Sequence, residues 1–179
     1  MTYSAAQQRS GPAARECGRT MDELHGFFIE DLAVGMTAMY AKTINAADIT
    51  LFAGVSGDIN PVHLNQEFAA GTMFEGCIAH GMLTASLIST VLGTKLPGPG
   101  CVYVGQNLKF LAPVRAGDTV RARATITEIV PERRRVTLKT TCSVGDKAVI
   151  EGEAIVVVPT RAAKAATNPA TPRVVVAAG

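Results

Sequence analysis

The stretch AHGMLTASLISTVLG, residues 79–93, decides the fold. Met82, Leu83, Leu87, Ile88, Val91 and Leu92 occupy most of a helical circumference, with only Ser and Thr between them. A helix that is apolar nearly all round has no face to offer water and must be buried. Gly93 and Pro97 stop it. Such a helix needs an enclosing layer, and the chain from Cys101 onward supplies one. CVYVGQNLKFLAPV, DTVRARATITEIV, RRVTLKTTCSV and KAVIEGEAIVVVP are four runs rich in Val, Ile and Thr, parted by the turn signals RAGD, PER and VGD. In the second run Val120, Ala122, Ala124 and Ile126 alternate with Arg121, Arg123, Thr125 and Thr127, as one buried and one wet face require. Residues 36–44 suit a further strand. Consecutive strands of this kind predict an antiparallel meander. The expected class is α+β, a long central helix wrapped by a curved antiparallel sheet.

Composition narrows the function classes. A chain of 179 residues fits one domain, and 47% hydrophobic residues supply a core. The net charge is +2, the tightest basic cluster is Arg133–Arg135, and there is no Trp, which argues against nucleic-acid binding. No stretch reaches the roughly 18 apolar residues of a membrane span. Cys17, Cys77, Cys101 and Cys142 form no CxxC pair and no zinc-like spacing, so they read as small buried hydrophobes in a reduced compartment. A cytoplasmic location without membrane attachment follows as the expectation. Residues 1–26 are polar and aperiodic and read as a flexible extension, with Met21 an alternative start and His25 in the leader. Residues 160–179 read as a loose Ala/Thr/Pro tail whose VVV at 174–176 could join a sheet edge. The folded body is expected over 27–159.

Ahead of the buried helix stands SGDINPVHLNQEF, residues 56–68. Asn45 with Asp48 reads as a capping box opening a helix that Gly57 ends, and Asn65 caps a second short helix. Between them Pro61 fixes its own φ and biases Asn60 to an extended shape, which stiffens the turn from Asp58 to His63. A carboxylate and an imidazole across a rigid turn can both face one water, a base and an acid for proton transfer. Gly81, at the start of the buried helix, offers an N–H that a ligand can approach closely. Helix N-termini carry unpaired N–H groups and partial positive charge, so a carbonyl becoming an enolate would be stabilised there. Ser89 adds a hydroxyl two turns along. Each residue also has a plainer reading. Asp58 could close an Asx-turn, His63 and His80 could be structural, Ser89 could bond back into its helix, and Asp58, His63 and His80 could hold a metal.

DINPVH (58–63), FEGCIAHGMLTASLIS (74–89) and LPGPGCVYVGQNLKFLAPVRAGD (96–118) resemble the MaoC-like, (R)-specific enoyl-CoA hydratases. The resemblance covers roughly residues 30–158. It implies a hotdog fold, and a homodimer or a higher homo-oligomer of such dimers, with the two sheets joined edge to edge. It implies hydration of trans-2-enoyl-CoA to (R)-3-hydroxyacyl-CoA and the reverse dehydration, with no metal and no cofactor beyond the CoA of the substrate. Asp58 would activate water for attack at C3, His63 would hold that water and protonate C2, Gly81 N–H would polarise the thioester carbonyl, and Ser89 would orient the catalytic groups. Asn60 fixes the turn rather than reacts. Leu92, one turn past Ser89, would shorten the acyl tunnel and favour short chains, and Lys109, Arg115 and Arg121 are candidates for the CoA phosphates. Such a product would suit polyester (polyhydroxyalkanoate) precursor supply. The competing readings are a dehydratase on an acyl-carrier-protein, branched or dicarboxylic thioester, an acyl-CoA thioesterase, and a non-catalytic acyl-CoA-binding hotdog.

Overall fold

The computed structural model describes residues 24–163. The expectations for the leader and for the tail, Met21 and the VVV included, fall wholly or largely outside them. The elements run β1 (Thr37–Thr43), α1 (Ala46–Ser56), α2 (Pro61–Leu64), α3 (Gln66–Ala70), α4 (Gly81–Thr94), β2 (Val102–Phe110), β3 (Thr119–Val130), β4 (Arg135–Val144) and β5 (Lys147–Val157). The five strands form one antiparallel sheet in the order β1-β3-β4-β5-β2, with α4 packed against it.

The alternation in β3 holds: Val120, Ala122, Ala124 and Ile126 are buried while Arg121 and Arg123 are exposed. The same period continues in β4 through Val136, Leu138, Thr140 and Cys142. These side chains meet Leu83, Leu87, Ile88, Val91 and Leu92 of α4 in a single core. Each fully buried Leu or Ile contributes about 1.5–3 kcal/mol through removal from water. Register shifts at Tyr103/Gly105, Ile126/Glu128 and Cys142/Ser143 bend the sheet around the helix.

Two expectations need correction. The strands are not a simple meander, because β2 does not pair with β3. It crosses to the far edge and pairs with β5, from Val102↔Val157 to Phe110↔Ile150. The reason lies at the RAGD turn, where Ile44 N–H donates to Asp118 O and Gly117 N–H to Ile44 O. Those bonds carry β3 onto β1 and leave that side of β3 closed to β2. The second correction concerns α4, which is not sheathed all round. Met82 is 57% exposed, and Ser86, Ser89 and Gly93 follow it on one open stripe. Five strands cover one side of the helix only.

Candidate active site

Local chemistry builds the turn that carries Asp58 and His63. Asn45 Oδ1 accepts from Asp48 N–H at 2.9 Å and Asp48 Oδ2 from Asn45 N–H at 3.0 Å, the capping box read from the sequence. Gly57, at φ 76°, closes α1 in the left-handed conformation that glycine adopts without strain. From there one side chain after another holds the backbone. Ser56 Oγ accepts from Asp58 N–H at 3.1 Å, Asp58 Oδ1 from Asn60 N–H at 3.3 Å, and Asn60 Oδ1 from Val62 N–H at 3.2 Å. Asn60 therefore caps α2, with Pro61 at its first position. Asp58 does close an Asx-turn, but with one oxygen only.

The other carboxylate oxygen, Oδ2, lies 3.9 Å from His63 Nε2. That gap is too long for a direct hydrogen bond, so both atoms stay available to a third molecule. His63 Nδ1 is 2.8 Å from the carbonyl oxygen of Ile78. A carbonyl can only accept, so Nδ1 carries the hydrogen and Nε2 is the nitrogen free to exchange a proton. The Asp58 side chain is 52% exposed and that of His63 10%. One group meets entering solvent and the other is held in a fixed place.

Asp58 opens onto a cavity of about 480 Å³ lined also by His80 and Gly81, with Phe74, Ile78, Phe110 and Ile150 among its apolar walls. Gly81 begins the 14-residue helix α4, and its N–H has no acceptor among the described residues. A Cβ at this position would stand 2.7 Å from the Phe110 ring, so the lack of a side chain is what lets that ring close the wall here. The result is an apolar hollow with the Asp58 carboxylate, the His80 ring and a helix N-terminus on its wall, and His63 comes to it through Asp58, 3.9 Å away, a set suited to proton transfer beside a carbonyl gaining negative charge.

The remaining expected residues are placed as follows. Ser89 is eight residues beyond Gly81, about 12 Å along the axis. It lines a separate hollow of about 410 Å³ with Phe52, Met82, Tyr103 and Leu108. Leu92 is fully buried in the core and lines neither hollow, so its position offers no support for a tunnel end. Arg115 donates to Phe74 O beside the first cavity. Lys109 stands between Leu108 and Phe110, whose side chains turn toward α4, so it faces the outside of the sheet. Arg121 faces outward likewise, reaching Gly145 O at 3.4 Å. Arg115 is thus the cation beside the cavity, while neither Lys109 nor Arg121 lines it.

His80 holds a larger place in the site than a residue at the mouth of α4 need have. It is 1% exposed, its Nε2 is 2.9 Å from Asp58 O, and its ring centroid is 3.8 Å from that of His63. A usable signal existed: N-caps favour Ser, Thr, Asp or Asn, and a histidine there points to another task. Ligand atoms of Asp58, His63 and His80 lie within 4.8 Å of one another. The two rings, however, face each other with only 32° between their planes. In-plane lone pairs of facing rings run side by side, whereas a cation needs them to converge on a point about 2 Å from each. The cluster fits proton exchange better than metal binding.

Residues 33–149 match the model of the MaoC like domain, and the chain belongs to that family. Its architecture is the hotdog that the family resemblance implied. The particular relatives are close ones. An (R)-specific enoyl-CoA hydratase of Rhodospirillum rubrum is 57% identical over 78% of this chain and 97% of its own. A 3-hydroxybutyryl-CoA dehydratase of Methylorubrum extorquens is 53% identical over 78% of this chain and 88% of its own. Among solved structures, the (R)-hydratase from Aeromonas caviae involved in PHA biosynthesis superposes with a TM-score of 0.70 at 44% identity, covering 73% of this chain and 99% of that one.

Proposed function

We propose that this protein is a hydro-lyase that hydrates trans-2-enoyl-CoA to (R)-3-hydroxyacyl-CoA and catalyses the reverse dehydration. The single observation that carries the reading is the approach of Asp58 Oδ2 to His63 Nε2 at 3.9 Å, with Asp58 on the wall of an apolar cavity that Gly81 also lines. The names of the relatives at 57% and 53% identity support it.

In the proposed cycle Asp58 takes a proton from a water held between it and His63 as the water oxygen bonds to C3. Negative charge moves onto the thioester oxygen, where the Gly81 N–H donates, and the partial positive charge of the α4 N-terminus adds to the stabilisation. His63, as the imidazolium, delivers its Nε2 proton to C2. The Asp58 carboxyl and neutral His63 then exchange one proton through solvent, which restores the starting state. The chain's own groups suffice for these steps, so no metal or cofactor has a part in the proposal. Ser89, which lines the second hollow, has no part in these steps.

Short acyl chains are the favoured class, in keeping with the 3-hydroxybutyryl-CoA dehydratase relative. Arg115 is the proposed contact for CoA phosphate. A homodimer would cover both the open stripe of α4 and the β2 edge, where Val102, Val104 and Phe110 are exposed. No helix among the described residues is long and apolar enough to cross a membrane, and we place the enzyme in the cytoplasm. Supply of (R)-3-hydroxyacyl-CoA to polyhydroxyalkanoate synthesis follows by analogy with the A. caviae hydratase.

The test is purified protein with crotonyl-CoA, followed by loss of the enoyl ultraviolet absorbance and chiral analysis of the product. Rapid conversion to (R)-3-hydroxybutyryl-CoA is expected. Release of free thiol without hydration would favour a thioesterase, and an (S) product would overturn the assignment.

A further inference from the structure

We propose that His80 is a positioning residue that joins the three parts of the catalytic site. The inference rests on the hydratase reading. His80 occupies the N-cap of α4 yet makes no cap bond with its side chain, so its buried imidazole is committed elsewhere. Its Nε2 lies 2.9 Å from the Asp58 carbonyl oxygen, which can only accept. Nε2 therefore carries the hydrogen, and the neutral ring leaves Nδ1 bare. Nδ1 is buried with no partner among the described residues. A proton there would be a buried donor without an acceptor, which costs free energy. Both nitrogens thus favour the same tautomer.

The ring faces are used as well. His63 lies against His80 at 3.8 Å between centroids, and Phe52 at 5.0 Å. One imidazole consequently bonds the main chain of Asp58, supports the ring of His63 and is peptide-linked to the Gly81 N–H. Those three groups come from the loop after α1, from α2 and from the start of α4. The bonds from His63 Nδ1 to Ile78 O and from Ile78 N–H to Val62 O anchor α2 just ahead of α4, and the His80 bond to the Asp58 carbonyl extends that anchorage to the Asp58 loop itself. His80 acts through its neighbours: its Nδ1 has no partner, and its Nε2 is occupied by Asp58.

His80→Phe and His80→Gln test the proposal. Phe keeps a ring in the space between His63 and Phe52 but removes the donor to Asp58, whereas Gln keeps an N–H near the Nε2 position. Small displacements of catalytic groups can cost about 100-fold in rate. The expected result for His80→Phe is therefore a kcat lower by about 10- to 100-fold on crotonyl-CoA, with KM little changed, as for a loss confined to the transition state. His80→Gln should recover a large part of that loss. A His80→Phe kcat within about threefold of wild type, a defect confined to KM, or a Gln variant no better than Phe would overturn the proposal. Should His80→Phe fail to fold, nitrogen NMR of the wild type decides: Nε2 protonated and Nδ1 bare is expected, and the opposite tautomer refutes. Should the wild type not hydrate crotonyl-CoA, the hydratase reading fails, while the NMR measurement still tests the hydrogen bond.

Discussion

Gly81→Ala adds one methyl group at the point where helix, cavity and the N–H proposed to polarise the thioester meet. The new Cβ would lie 2.7 Å from Phe110 Cε1 and 2.9 Å from Cδ1, well inside van der Waals contact. Two consequences compete. Were Phe110 fixed, overpacking would destabilise the fold by about 1–3 kcal/mol. Phe110 is 54% exposed, however, so its ring can swing outward. The stability change should therefore be small. The rate should suffer far more, because the methyl and the displaced ring crowd the approach of a thioester carbonyl to the N–H. Loss of one such donor costs about 100- to 1000-fold in kcat, or about 2.7–4 kcal/mol. Steady-state hydration of crotonyl-CoA, beside thermal unfolding, separates the two effects. A fall of about 100-fold with the melting temperature nearly unchanged is expected. A variant of wild-type rate would refute the assignment of the Gly81 N–H, and a collapsed melting temperature would refute the claim that Phe110 can yield.

Further outcomes follow from the packing and the charges. Leu92→Ala should destabilise the fold by about 2–5 kcal/mol in denaturant, as for a deep core truncation. Its ratio of octenoyl-CoA to crotonyl-CoA activity should not change, since Leu92 lines neither hollow; a marked gain on octenoyl-CoA would restore it as the tunnel end. The Asp48 carboxyl is held below its ordinary value of 3.8, chiefly by the Asn45 N–H and then by Lys42. Because the folded-state value is the lower one, its stabilising effect is present above the unfolded value and is lost as pH falls through the folded one. Asp48→Asn should therefore show a shallower loss of melting temperature on acidification below about pH 3.8 than the wild type, and equal slopes would contradict the capping account.

The parts legible in the sequence are those governed by local chemistry. The Asn45–Asp48 box, the left-handed Gly57 and the Asn65 cap depend on neighbours within a few residues and stand where the pattern put them, whereas Pro61–Leu64, expected as part of a turn, forms the short helix α2 that Asn60 caps. Strand alternation likewise located β3, and a run rich in Val and Thr between turn signals located β4. Pairing order is different: nothing within β2 says that β5 rather than β3 will be its partner, because the decision rests on Ile44, some sixty residues away, bonding at the RAGD turn. The open stripe of α4 was hidden for a similar reason. Met82, Ser86 and Ser89 are compatible with burial, and their exposure depends on how far five strands reach around a helix. In the site, Asp58, His63 and Gly81 came from residue types at short spacing, whereas the weight on His80 comes from two contacts, 17 and 22 residues away in sequence, to His63 and Asp58.

The central claim is that Asp58 and His63 act as one unit on one water, and a double-mutant cycle on crotonyl-CoA hydration tests it most directly. Asp58→Asn, His63→Gln and the double variant keep side-chain size while removing the proton-transfer groups. Groups that act as a unit are grossly non-additive. The account predicts that each single substitution nearly abolishes kcat and that the double variant is little worse than the poorer single. Losses that multiply, or substantial activity in either single variant, would contradict it.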